Sequence, residues 1–148
     1  MKTTTWHVVI CAAMVLGASG LARADERDKG CTLRTLRGTY VFSASGFNIV
    51  AGVAQPKAIV EVIRFNGDGT LSVPAATLSA NGVIIRSLPG GFGTYTIEDD
   101  CTGTVAFNGP TFDAFLSRDG DTLQMIQTNP GTVFQGTATR RPRERDRF

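Results

Sequence analysis

Histidine and tryptophan are almost absent from this chain. Its 148 residues include one of each, His7 and Trp6. Both fall in an N-terminal stretch that reads as an export signal. Met1-Lys2 makes a charged start, Val8 to Leu21 an apolar run too short for a stable span, and Ala22-Arg23-Ala24 a signal-peptidase site. With residues 1–24 removed, no histidine remains. That excludes Ser-His-Asp and Cys-His catalysis and every His-ligated zinc or iron site. No metal and no cofactor are expected, and no membrane span in the mature chain. The terminal Phe148 resembles the end of an outer-membrane strand, but the residues before it do not alternate apolar and polar as such a strand requires.

Cysteine is scarce too, at three residues. Cys11 lies inside the apolar run of the signal. Cys31 and Cys101 remain, and in an exported protein such a pair reads as a disulfide. Closing so long a segment is worth about 4 kcal/mol in loop entropy. The rival reading is two free thiols, with only Arg or a helix N-terminus to activate one. Charge of either sign is also in short supply. There are 15 basic and 13 acidic residues, and loss of Lys2 and Arg23 brings them level. The basic excess sits in Arg140–Phe148, where five Arg meet two acids. The acids interrupt the run and no stacking aromatics interleave it, so it reads as a disordered tail with no nucleic-acid partner. A periplasmic or secreted location follows from the signal and the cysteine pair.

Helical periodicity is the last absence. Short β-branched and aromatic runs recur instead, punctuated by turn residues. They are Gly38–Phe47, Lys57–Phe65, Thr70–Ala80, Val83–Leu88, Phe92–Ile97, Gly103–Phe107, Thr111–Ser117, Thr122–Thr128 and Thr132–Arg140. Asn81-Gly82 is a strong type I′ hairpin signal. Connections this short make neighbouring strands antiparallel, and a long meander must curl or close to hide its edges. The expected fold is all-β, an antiparallel up-and-down β-barrel of about eight to nine strands. A sandwich is the alternative. Asp25–Arg37 is the one stretch able to hold a helical turn, as a plug or lid over a barrel end. The domains expected are a signal peptide at 1–24, the barrel at 25–139 and the basic tail at 140–148. Strands such as Lys57–Phe65 are apolar on both faces, which suits an outer wall covered by a partner subunit and allows a homo-oligomer.

Three segments carry a family likeness. They are Cys31-Thr32-Leu33 with Leu36-Arg37-Gly38-Thr39-Tyr40-Val41-Phe42; Gly93-Thr94-Tyr95-Thr96-Ile97 with Asp100-Cys101-Thr102-Gly103-Thr104; and Ile126–Val133 with Gly136-Thr137-Ala138. Together they resemble a group of small exported bacterial proteins with no assigned activity. The architecture this implies is similar to lipocalin-like and allene-oxide-cyclase-like barrels, including plant dirigent proteins. No catalytic motif of either superfamily is present to carry over.

Loop oxygens cluster at Asn66-Gly67-Asp68-Gly69, Glu98-Asp99-Asp100 and Asp119-Gly120-Asp121. An EF-hand loop starting at Asn66 needs a Glu where Thr77 stands, so these clusters read as turns. Inside a small barrel, the polar residues of apolar strands are the candidates to orient a ligand. They are Glu61, Arg64, Arg86, Asp113, Gln124, Tyr40 and Tyr95. Glu61 stands out because Ile59, Val60, Val62 and Ile63 surround it. If its face points inward, it needs a partner, and Arg86, Tyr40 and Tyr95 are the candidates. The function expected is binding of a small, mostly apolar molecule. The alternatives are a cyclase or isomerase working in the cavity, and a structural or interaction module whose barrel is filled.

Overall fold

A computed structural model describes residues 30–87 and 91–142. The expected signal peptide, the Leu88–Gly90 link and the tail beyond Pro142 lie outside these residues. Nine strands follow one another: β1 (Gly38–Val50), β2 (Val53–Phe65), β3 (Thr70–Ala80), β4 (Val83–Ser87), β5 (Gly91–Ile97), β6 (Thr102–Phe107), β7 (Thr111–Leu116), β8 (Thr122–Gln127) and β9 (Thr132–Arg140). Every pairing is antiparallel, in the order β2-β1-β9-β8-β7-β6-β5-β3-β4. An added β2–β3 pairing closes the sheet. The result is a closed eight-stranded barrel with β4 as an extra strand on β3. Among the described residues there is no helix, so none is long and apolar enough to cross a membrane. The helical turn expected before Arg37 is a pair of tight turns instead, closed by Thr35 N to Thr32 O and Arg37 N to Arg34 O.

Two hairpins turn on two residues each. Asn81 and Gly82 have φ of 47° and 84°, as a type I′ turn requires. Ala51 and Gly52 do the same at 50° and 79°, which extends β1 and β2 past the ends expected from sequence. β3 carries a bulge. Val62 faces Ala75 while Arg64 faces Ser72, so β3 carries one extra residue around Val73-Pro74. Proline is tolerated at such a bulge because no ladder N–H is needed there. Before the bulge β3 pairs with β5; after it, with β4.

The closed end of the barrel is filled. Leu36 from the N-terminal segment is fully buried there. Tyr40, Phe65 and Tyr95 stack edge to face beneath it, with centroids 5.3 and 5.0 Å apart. Cys31 and Cys101 are joined as a disulfide, with Cα atoms 4.9 Å apart, and this ties the plug to the β5–β6 turn. β9 runs through Arg140, the residue expected to begin the tail. Its guanidinium donates to the carbonyls of Arg37, Thr35 and Gly120 and pairs with Asp121 at 3.1 Å. The acidic turns serve their own backbones. Asp68 accepts from Thr70, Asp100 from Thr102 and Asp119 from Asp121, and these bonds hold all three carboxyls below their ordinary pKa.

Candidate functional site

The other end of the barrel is open and hollow. Small inward residues on the tall wall of β1–β3 leave a cavity of about 480 Å³, bordered by Phe42, Ile59, Leu78, Phe112 and Phe134. Ala76, Ala80 and Gly91 stand where larger residues would fill it. Four phenylalanines form one cluster around Phe112: Phe107 and Phe42 meet it edge to face at 5.8 and 6.1 Å, and Phe134 tilts against it at 6.5 Å.

Among the described residues two charged side chains line this cavity, Lys57 and Glu61, both on the inward face of β2. Glu61 sits between Phe42 of β1 and Ala76 of β3. It is 9% exposed, and no hydrogen bond or ion pair reaches its carboxyl among the described residues. Burial without a partner disfavours the charged form, and the pKa is pushed up to about 7. Lys57 lies four residues nearer the mouth, about 13 Å along the strand. Gly46 faces both Lys57 and Phe134 across the ladders and puts no side chain between them. The Lys57 ammonium therefore reaches across, 4.1 Å from the Phe134 ring centroid. It donates to Gln127 Oε1 at 2.8 Å. Burial holds its pKa below the usual lysine value.

The other candidates go elsewhere. Arg64 and Asp113 point to solvent from β2 and β7, and Gln124 does so from β8, where Thr137 donates to it. Arg86 is exposed on β4, one residue from the cavity-lining Ile85 and so on the opposite face. Tyr40 and Tyr95 do point inward, but at the closed end. The Tyr40 hydroxyl donates to Gly120 O, and the Tyr95 hydroxyl donates to Leu33 O at 3.0 Å while accepting from Gly67 N at 2.9 Å. Burial pushes the Tyr40 pKa up to about 12 against the pull of Arg140. Thus none of the partners proposed for Glu61 reaches it. Sequence reasoning missed Lys57, which was read as the polar start of a strand. Its period-two spacing from Ile59 and Glu61 was the available signal.

No protein-family model matches this chain, and no curated protein matches it. Among solved structures it is similar to a de novo designed fluorescence-activating β-barrel. The two are 10% identical with a TM-score of 0.47, over 75% of this chain and 99% of the design.

Proposed function

We propose that the barrel binds a small, mostly apolar molecule in its mouth-side cavity, with Glu61 as the polar anchor. The observation that carries this reading is the hollow, phenylalanine-walled half of the barrel holding one buried, unpartnered carboxyl. A filled interior would favour a structural module. A carboxylate facing Arg or Tyr would favour a cyclase or isomerase, and Glu61 faces Phe42 and Ala76 instead. The reading includes export, with 1–24 as signal, the barrel running from 25 through Arg140 at the end of β9, and the tail after it. The Cys31–Cys101 bridge supports an oxidising, periplasmic or secreted location. The kinship proposed is with small exported bacterial barrels of lipocalin-like build. It also includes a homo-oligomer, supported by the outer wall where Val60, Phe115, Ile126 and Val133 are exposed.

The test uses a neutral dye whose fluorescence rises in apolar surroundings. The wild-type chain should bind it saturably at one site. Ala76→Phe, which places a ring in the cavity beside Glu61, should abolish binding while the β-sheet circular dichroism is kept. A wild-type chain that binds no apolar probe would remove the reading and put the filled module ahead.

A further inference from the structure

We propose that the bound molecule carries a basic nitrogen, an ammonium on an apolar body, which pairs with Glu61 while the phenylalanine cluster packs around it. This rests on the binding reading above and names its ligand class. The first ground is the carboxyl itself. Glu61 is 9% exposed, opens into the cavity and has no hydrogen-bond or ion-pair partner among the described residues. A buried carboxylate left alone is costly, and a ligand cation removes that cost. The second ground is the wall. Phe42 is the ladder neighbour of Glu61, and Phe112 meets Phe42 edge to face at 6.1 Å; aromatic rings attract cations through their quadrupole. The third is that the same wall already holds an ammonium. Lys57 rests over Phe134 and bonds to Gln127, so the cavity wall holds a partly buried cation on a ring and an amide oxygen.

Charge bookkeeping supports the assignment. Among the described residues Lys57 and Glu61 are the two ionisable groups that face the cavity, and no ionisable group of β1 or β3 opposes Glu61 across its ladders. Lys57 is held toward β8 and β9 and does not neutralise Glu61. The cavity thus offers a cation subsite beside Glu61 at depth, with the Lys57–Gln127 pair nearer the mouth.

Three probes of one shape separate the chemistries: 1-adamantylammonium, 1-adamantanol and adamantane-1-carboxylate, titrated calorimetrically into the full mature chain. At pH about 8 the ammonium should bind at least about tenfold tighter than the alcohol, as a charge-assisted bond in a desolvated site allows. Glu61→Gln should bring that ratio to about one and leave alcohol binding in place. At pH about 5.5 the wild-type ratio should also fall, because Glu61 then keeps its proton; this decides the matter should the variant not fold. Lys57→Met should preserve or increase the ammonium preference. Equal binding of ammonium and alcohol at pH 8, or a preference for the carboxylate, overturns the proposal while leaving the barrel a binder. Binding of none of the three, with the neutral dye also excluded, overturns both readings.

Discussion

Glu61 carries a carboxyl group into an apolar interior, and its proton makes the fold sensitive to pH. In the unfolded chain the group titrates at its ordinary value near 4.5; in the barrel burial moves it to about 7. Between those values the native state keeps a proton that the unfolded state has lost. Stability therefore falls as pH rises from about 4.5 to about 7 and levels off above. The shift corresponds to a loss on the order of 3 kcal/mol for so buried a group. Urea unfolding from pH 4.5 to 8 should show this decline in the ligand-free protein. In Glu61→Gln the decline should vanish, leaving the variant the more stable of the two at pH 8. A wild-type curve flat across that window would mean the carboxyl is solvated. Glu61 was legible in the sequence because its apolar neighbours announce a two-sided buried strand. The tyrosines were not, since their partners are backbone carbonyls of Gly120 and Leu33, distant in sequence and silent in side-chain chemistry.

Among the elements, the plug and β9 hold the closed end. Arg140 donates to three carbonyls and one carboxylate and lies 4.8 Å over the Tyr40 ring. Arg140→Ala removes the donor to the Thr35 and Arg37 carbonyls and leaves Gly120 O with the Tyr40 hydroxyl; a partly buried acceptor left unsatisfied costs about 1–3 kcal/mol. The variant should lose at least about 2 kcal/mol in urea unfolding, and Arg140→Lys should recover only part, since an ammonium cannot fork to four acceptors. A loss below about 0.5 kcal/mol would place Arg140 with ordinary surface residues. The Cys31–Cys101 bridge closes a separation of 70 residues, so its reduction should cost about 4 kcal/mol, readable as an earlier urea midpoint in dithiothreitol. The hairpins show why some elements are readable and others not. Asn81-Gly82 advertises its turn because both residues favour positive φ. Ala51-Gly52 adopts the same geometry with an alanine at φ 50°, where the residue type gives no hint, so β1 and β2 read shorter than they are. The β3 bulge escaped notice likewise. Pro74 signals an interruption, but its consequence, a change of neighbour from β5 to β4, depends on strands that follow later in the chain.

At the scale of the whole molecule, one barrel has two unlike halves. Near the closed end Tyr40, Phe65, Leu123 and Leu36 fill the cross-section. Toward the mouth Ala76 and Ala80 leave it hollow. Period-two patterning places these residues on the inner face, but which of them share a level depends on the stagger set by closure. The division into filled and hollow halves is thus a property of the assembled barrel, and no single strand displays it. The two halves should answer differently to the same truncation. Leu123 has no exposure and neighbours on every side, so Leu123→Ala should cost about 2–5 kcal/mol through lost burial and a new void. Leu78 borders the existing cavity and is half-buried. Leu78→Ala enlarges a space that is already there, and its cost should stay near 1–1.5 kcal/mol, the transfer term for partial burial alone. Urea unfolding of both variants at one pH, with m-values matching wild type, makes the comparison. Equal, large losses at the two positions would mean that the mouth half packs as tightly as the floor. The cavity would then have no room for any ligand, with or without a nitrogen to meet Glu61.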